Sequence, residues 1–290
     1  MPKRTVLIQT PSKIRIETNL LVVESSDKQA KIPLEDIWVV IIESLRCNIT
    51  ANALSRLTDA GAGVLFCDET HHPNGLLLPL GAHSRHAKIV KHQLAISKPL
   101  KKQLWQRIVK AKIKNQAAVL KTVGLPGFDK LIQYANEVKS DDASGREAAA
   151  AAFYFKTLLN NTGRRAGKYS KSLDYGYSIL RAGIARSAVS RGWLVSQGIH
   201  HENDLNAFNL VDDLIEPFRP IVDLMVVQRN FSGDLDRETK TSLCKIFELP
   251  VTMKEKEFLV QTAIEEMLNS FKQAIIEKDV EQLVLPSLRS

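Results

Sequence analysis

Residues 198–220 read GIHHENDLNAFNLVDDLIEPFRP and join two histidines, three asparagines and several carboxylates to an apolar helical pattern. A helix that begins near Asn203 would place four polar side chains within an arc of about 80°: Asn206, Asn209, Asp213 and Glu216. This donor set suits a divalent cation, although an acidic helix face is more often simply solvated. Pro217 directly follows Glu216, so we expect the helix to kink or restart there. The stretch therefore predicts a helical region with a candidate metal site.

A further acid, Glu147, stands near the start of a helix predicted over residues 144–159. Ser144 precedes it by three residues, which is the spacing of a capping box. A capping box alone would explain both residues, and the local sequence favours that explanation. Nothing in the local sequence brings Glu147 near His201.

Outside these stretches, the sequence shows two different patterns of apolar residues. From Ser84 onward apolar residues recur three and four apart, and we predict further helices over residues 128–138, 172–195, 203–228 and 253–276. Before that point, short runs of Val and Ile predict strands over residues 5–9, 12–17, 20–23, 37–42 and 64–67, interrupted by one helix from Thr50 to Gly61. Residues 69–84 contain two prolines and two glycines and predict a connection. The predicted fold class is α+β: a small β-rich N-terminal domain, residues 1–80, then a larger all-helical domain, residues 81–290.

The positive charge of the chain is concentrated in one segment. The 290 residues carry a net charge of +8, yet no acidic residue lies between Thr70 and Phe128, where eleven Lys and Arg residues stand. The remainder of the chain therefore carries −3, the difference between +8 and +11. A basic face on amphipathic helices is commonly just solvated, but an acid-free segment of this size favours contact with phosphates.

Several protein classes are excluded or disfavoured. Three cysteines with no CxxC pair argue against a disulfide framework or a zinc ribbon and favour a reducing compartment. The N-terminus lacks a signal-peptide core, and the longest apolar run, residues 37–42, is far too short for a membrane span. No P-loop, GxGxxG or HExxH pattern is present. We expect a cytoplasmic protein.

Three long segments resemble one family. SGREAAAAAFYF (144–155), LDYGYSILRAGIAR (173–186) and the composite pattern H-x-N-x-x-N-x-F-N-L-x-x-D-L-x-E-P-F-R-P (201–220) are similar to the CRISPR-associated spacer-acquisition integrase. This is the larger, universal adaptation subunit, CRISPR-associated protein one, in its type II subgroup. The start RTVLIQTPSKIRIETNLLVV (4–23) and LFCDET (65–70) fit as well, so the resemblance covers most of the chain.

The resemblance implies a metal-binding catalytic set of Glu147, His201 and Glu216, which overturns the local preference for a capping role of Glu147. Asp213 is implied as a second-tier ligand or as a group behind the ligands, and His200 as a neighbour. Glutamate and histidine ligands suit Mn²⁺ or Mg²⁺. For Arg219 two roles stay open: holding a phosphate, or orienting a ligand carboxylate through an ion pair. We expect DNA-backbone contacts from some of six bases: Arg85, Lys88, Lys91, Lys101, Lys102 and Arg107.

The implied function is a metal-dependent DNA endonuclease and integrase that inserts spacer DNA into a CRISPR array by 3′-hydroxyl attack on a phosphodiester. Implied partners are double-stranded DNA (spacer precursor and array), a second copy in a homodimer, and a small second adaptation protein. Other type II adaptation proteins and the effector are further expected partners. In this reading residues 1–80 serve dimerisation and partner contact, and residues 81–290 catalysis and DNA binding. The alternatives are a non-catalytic DNA-binding scaffold and a general metal-dependent DNA repair nuclease.

Overall fold

The computed structural model describes residues 3–70, 73–79 and 85–288. Its N-terminal part is rich in strands, as the sequence predicts. In chain order its elements are β1 (Arg4–Ile8), β2 (Lys13–Glu17), β3 (Leu20–Glu24), β4 (Gln29–Pro33), β5 (Ile37–Ile42), β6 (Asn48–Ile49), α1 (Ala51–Asp59), β7 (Gly63–Cys67) and β8 (Pro73–Leu77). Thr50 caps α1 by accepting a hydrogen bond from the Ala53 N–H, which explains why that helix begins where the sequence places it.

The strands form two sheets, in the orders β1-β5-β7-β8 and β4-β3-β2-β6. In the first sheet β5 is parallel to both β1 and β7, and all six of its residues are buried. Such a strand has apolar neighbours on both faces. Trp38 and Ile41 belong to the core built with the helices, whereas Ile37 and Val40 belong to a core with α1 and the second sheet. The first sheet therefore joins the β-rich part to the helical part.

The predicted connection over residues 69–84 contains a strand that the sequence did not reveal. β8 pairs antiparallel with β7 and extends the first sheet by one strand. Pro73 at its start is tolerated because β8 has a neighbour on one side only. The remainder of the predicted connection includes residues 71–72 and 80–84, which lie outside the described residues.

The C-terminal part is mainly helical. Its helices are α2 (His86–Leu94), α3 (Lys98–Thr122), α4 (Phe128–Glu137), α5 (Arg146–Leu158), α6 (Ser170–Ser190), α7 (Asn209–Leu214), α8 (Arg219–Gln228), α9 (Arg237–Leu243) and α10 (Val260–Glu277). The long helices α3 and α6 run through the core, and most of their residues on one face are buried. In the part of the chain that is described, no helix combines the length and the apolar character that crossing a membrane requires.

The prediction of an all-helical C-terminal part is wrong in one place. β9 (Pro250–Met253) and β10 (Lys256–Leu259) form an antiparallel hairpin before α10, where a helix was predicted from residue 253. The two turn residues, Lys254 and Glu255, both have positive φ. Such turns usually carry Asn or Gly, so Lys254 and Glu255 provide no turn signal.

The prediction of a single helix over residues 203–228 is also wrong. The structure divides it into α7 and α8, separated around Pro217, and residues 203–208 lie in turns. Asn203 and Asn206 accept hydrogen bonds from the backbone N–H two residues later, at 2.9 and 3.0 Å. These side chains stabilise turns in competition with the helix. The break at Pro217 is as predicted, but the donors do not lie along one helix.

Candidate active site

Two of the predicted ligands meet at one lysine. Nζ of Lys112, on α3, lies 2.6 Å from Oε1 of Glu147 and 2.5 Å from Oε2 of Glu216. Glu147 stands in the first turn of α5, and Glu216 lies between α7 and α8. Three separate segments therefore bring two carboxylates to a single positive charge, which the sequence alone did not show.

The start of α5 differs from the predicted capping box. The carboxylate of Asp142 accepts hydrogen bonds from the N–H groups of Arg146 and Glu147, both at 2.9 Å. Ser144 instead donates to the Glu137 carbonyl oxygen at 3.2 Å. The capping role predicted for Ser144 is therefore wrong, and Asp142 performs it. The side chain of Glu147 is not used for capping and reaches Lys112.

Glu216 is buried between two cations. Its Oε1 accepts a hydrogen bond from Arg219 at 2.8 Å, and its Oε2 faces Lys112. Burial raises the pKa of Glu216, but the positive charges of Lys112 and Arg219 outweigh burial and hold that pKa below its ordinary value. Two roles were left open for Arg219, and the structure shows the ion pair with Glu216. The guanidinium also lies over the ring of Tyr177, 4.6 Å from its centroid.

His201 is oriented by a fully buried carboxylate. Nδ1 of His201 lies 2.7 Å from Oδ1 of Asp213, and this hydrogen bond raises the pKa of His201 against the effect of burial. Asp213 also accepts hydrogen bonds from the backbone N–H groups of Ile199, His200 and His201. The oxygen atoms of Asp213 are thus engaged behind His201, and Nε2 of the imidazole remains available.

Neighbouring groups hold this loop in place. The ring of His200 stacks on Trp105 with centroids 4.2 Å apart, and His201 meets the same indole edge-on at 5.7 Å. Nδ1 of His200 lies 3.5 Å from Asp141. His200 therefore acts as a packed neighbour of His201, in agreement with the role that the resemblance implied.

A cleft of about 500 Å³ opens beside His201 and Glu216. Its walls also include Asp174, Tyr177, Ser178, Arg181, Asp212, Ile215 and Arg219. Asp212 pairs with Arg181 at 2.6 Å, so this wall of the cleft carries an ion pair. The cleft is large enough for a phosphodiester and its neighbouring sugars, and it contains both positive and negative side chains.

The side chains at this site are of the types that bind a hard divalent cation, but the ammonium of Lys112 lies between two of them. Within residues 3–70, 73–79 and 85–288, no three His, Cys, Asp or Glu side chains lie close enough to share one metal ion as they stand. The Lys112 ammonium lies between two of the predicted ligands. Two carboxylates that already share a cation, with an imidazole beside the same cleft, are nevertheless the donor types that Mn²⁺ and Mg²⁺ bind.

Lys112 is the site residue that the sequence reasoning missed. It was counted among the eleven bases of the acid-free segment, but it lies on the buried face of α3 with Trp105 and Ile108. Those residues precede it by seven and four positions, which is helical spacing for a shared face. A charged residue in line with an apolar face was the available signal.

The six predicted DNA-contacting bases lie in different settings. Lys101 contacts the Gly198 carbonyl oxygen, Lys102 pairs with Asp141, and Arg107 pairs with Glu281. Lys88 and Lys91 are exposed on α2, and no described carboxylate lies within ion-pair distance of either. Arg85 is exposed beside the start of α2.

Comparisons with known proteins agree with this fold. The family model described as CRISPR associated protein Cas1 matches residues 6–240. The CRISPR-associated endonuclease Cas1 of Neisseria meningitidis serogroup C (strain 8013) is 40% identical over 295 residues, covering 99% of this chain and 97% of that protein. A casposase bound to integration product has a similar fold, with a TM-score of 0.76, 17% identity, and coverage of 96% of this chain and 91% of that one.

A chain of a Cas6-RT-Cas1--Cas2 complex is also similar in fold, with a TM-score of 0.74 and 20% identity; the match covers 98% of this chain and 36% of that one. The family match and the Neisseria relative confirm the resemblance seen in the sequence and, with it, the predicted CRISPR-associated endonuclease. The chain belongs to the Cas1 family of CRISPR-associated proteins.

Proposed function

We propose that this endonuclease uses Glu147, His201 and Glu216 to bind Mn²⁺ or Mg²⁺ and inserts spacer DNA into a CRISPR array. The convergence of Glu147 and Glu216 on one positive charge, beside the cleft that contains His201, carries the proposal. Asp213 orients the imidazole from behind and is proposed as a positioning residue. Its alternative role as a second-tier ligand would compete with the hydrogen bonds that both of its oxygen atoms already accept.

The reaction exchanges one phosphodiester for another. The 3′-hydroxyl of the incoming DNA forms a new P–O bond, the original P–O bond to the array strand breaks, and its oxygen leaves as a new 3′-hydroxyl. The bound cation supplies Lewis-acid stabilisation of the charge that develops on the phosphate oxygens. Arg219 holds Glu216 in place, and Asp213 holds His201. No nucleotide cofactor is consumed.

The proposed partners follow from the family. We propose a homodimer, because two strand transfers require two active sites, bridged by the small second adaptation protein. The similar chain from a complex that contains Cas1 and Cas2 supports the latter partner. Membership of the type II subgroup, with its additional adaptation proteins and effector, is part of the proposal. The exposed bases of α2 are proposed to contact the phosphate backbone of double-stranded DNA.

Three substitutions test the site: Glu147→Gln, His201→Ala and Glu216→Gln. Each is expected to abolish Mn²⁺-dependent strand transfer into array-containing DNA while DNA binding persists. Asp204→Asn is the matched control, because Asp204 is exposed in the same loop as His201. Retained transfer in all three variants would show that other residues catalyse the reaction, whereas wild type that transfers no strand would favour the non-catalytic scaffold. Activity that does not rise with array DNA and the small partner protein would favour a general repair nuclease.

A further inference from the structure

We propose that Lys112 is an internal counter-cation, which holds Glu147 and Glu216 together in the metal-free protein and competes with the divalent cation for their oxygen atoms. The inference rests on the proposed function, because it takes these two carboxylates as cation ligands. It assigns a role to Lys112 on α3, a helix that carries none of the predicted ligands.

The burial of the cluster makes a counter-charge necessary. The side chain of Glu216 is 5% exposed and that of Lys112 is 9% exposed, so neither charge is well solvated. Two carboxylates brought together in such surroundings repel each other unless a cation lies between them. The ammonium of Lys112 meets this requirement with contacts of 2.6 and 2.5 Å.

The two oxygen atoms of Glu216 are held by different kinds of cation. Arg219 lies three residues away and holds Oε1, whereas Lys112 reaches Oε2 from another helix. A lysine ammonium is a compact charge on a flexible stem, so it can withdraw from a carboxylate without moving the backbone. Withdrawal of Lys112 would free Oε2 while Arg219 keeps the carboxylate in position.

An ammonium and a divalent cation cannot share these oxygen atoms without cost. Both charges are positive, and their repulsion at a few ångströms is large in a poorly solvated site. Cation binding therefore requires Lys112 to move away. Removing its charge should favour the divalent cation and, in the absence of that cation, destabilise the fold.

The test compares wild type with Lys112→Met in two measurements without turnover: Mn²⁺ binding followed by the EPR signal of the free ion, and thermal unfolding in EDTA or in saturating Mn²⁺. The variant is expected to bind Mn²⁺ at least about tenfold more tightly. Its Tm should fall in EDTA and recover in Mn²⁺, because a ligand that binds only the folded state stabilises it. Lys112→Gln, which keeps donor groups without the charge, should behave in the same way.

Lys240→Met is the matched control. Lys240 and Glu43 form another buried Lys–Glu pair, 2.7 Å apart and similarly shielded from solvent, and neither is a predicted ligand. The Tm of this variant should fall by the same amount in EDTA and in Mn²⁺, relative to wild type. Its Mn²⁺ affinity should equal that of wild type.

Several outcomes would overturn the inference. Unchanged or weaker Mn²⁺ binding by both Lys112 variants would show that the lysine does not compete with the cation. A Tm loss that persists in saturating Mn²⁺, or failure of both variants to fold even with Mn²⁺ present, would make Lys112 an ordinary structural ion-pair partner. The proposed metal site itself would be overturned if wild type bound no Mn²⁺, or if Glu216→Gln bound Mn²⁺ as tightly as wild type does. These two measurements precede those on the Lys112 variants, so the two failures are distinguishable.

Discussion

Asp213 lies behind His201, with Oδ1 of the carboxylate 2.7 Å from Nδ1 of the imidazole. An ionised carboxylate only accepts hydrogen bonds, so the proton of this contact belongs to Nδ1. Nε2 is then the nitrogen available to a cation. Histidine ligands are commonly fixed in this way by a buried carboxylate, and the orientation of the ring depends on it.

The first prediction concerns Asp213→Asn. An asparagine keeps the shape but loses the charge and one acceptor, so the ring of His201 is held less firmly. We expect Mn²⁺-dependent strand transfer to fall by about 10- to 100-fold, with DNA affinity unchanged. Rates measured at several Mn²⁺ concentrations check this, and Asp204→Asn serves as the exposed control. Transfer at the wild-type rate would show that the contact has no part in the reaction.

The second prediction concerns the close approach at Gly198. A Cβ added there would lie 2.4 Å from the His201 carbonyl oxygen and 2.7 Å from Oδ2 of Asp213. Real Cβ atoms do not come this close, so the loop must shift. We expect Gly198→Ala to lower stability by about 1–3 kcal/mol and to reduce strand transfer.

Urea unfolding and transfer rates measure the two effects of Gly198→Ala. Gly163→Ala is the control, because a Cβ at Gly163 meets no atom within 4 Å. A Gly198→Ala protein as stable and active as the control would mean that the loop adapts without cost.

The third prediction concerns pH and Asp223. This carboxylate is buried in the helical core, where it accepts hydrogen bonds from Tyr154 on α5 and Tyr177 on α6. Burial raises the pKa of Asp223 to about 6, against the opposing effect of the two hydroxyl groups and of the Arg219 and Arg164 charges. The folded state therefore binds this proton more tightly than the unfolded chain does.

The sign of the resulting pH dependence follows from linkage. The stabilising contribution of protonated Asp223 is complete below its ordinary pKa of 3.8 and is lost as pH rises through about 6. Its size is up to about 3 kcal/mol. Urea unfolding between about pH 4 and pH 7 measures it as the difference between wild type and Asp223→Asn, in which this component is absent. Parallel stability curves for the two proteins would contradict the prediction.

The fourth prediction concerns the bases of the acid-free segment. Lys88 and Lys91 are exposed without a described carboxylate partner, whereas Arg107 is paired with Glu281. Each lysine that contacts a phosphate contributes about −0.9 to the slope of log affinity against log salt concentration. We expect Lys88→Gln/Lys91→Gln to flatten this slope, measured by fluorescence anisotropy with labelled duplex DNA.

Two comparisons complete this experiment. Lys101→Gln/Lys102→Gln/Arg107→Gln should flatten the slope only to the extent that these side chains leave their protein partners for DNA. Lys13→Gln/Lys28→Gln, at exposed positions in the N-terminal part, should leave it unchanged. An unaltered slope in both sets from the acid-free segment would remove it from the DNA interface.

The sequence predicted elements with strong local signals. β5 is visible as an unbroken run of apolar residues, and α1 is marked by the capping Thr50 and the glycine stop at Gly61. The hairpin before α10 and the turns over residues 203–208 were missed, because side-chain and backbone contacts there override the helical pattern.

The sequence by itself determined the family, the division into a β-rich start and a mainly helical remainder, and the identities of Glu147, His201 and Glu216 as the candidate ligands. The division follows from residue periodicity, whereas the family and the candidate ligands follow from the resemblance of three long segments to one family. The tertiary structure alone decided that Asp142 caps α5, that Asp213 is engaged behind His201, and that Lys112 joins Glu147 to Glu216. The reason is physical: the opposite charges of Lys112 and its two partners come together only when α3, α5 and the α7–α8 junction pack into one core. The spacing of Lys112 with the apolar residues of α3 indicates its burial, but nothing in the local sequence identifies its partners.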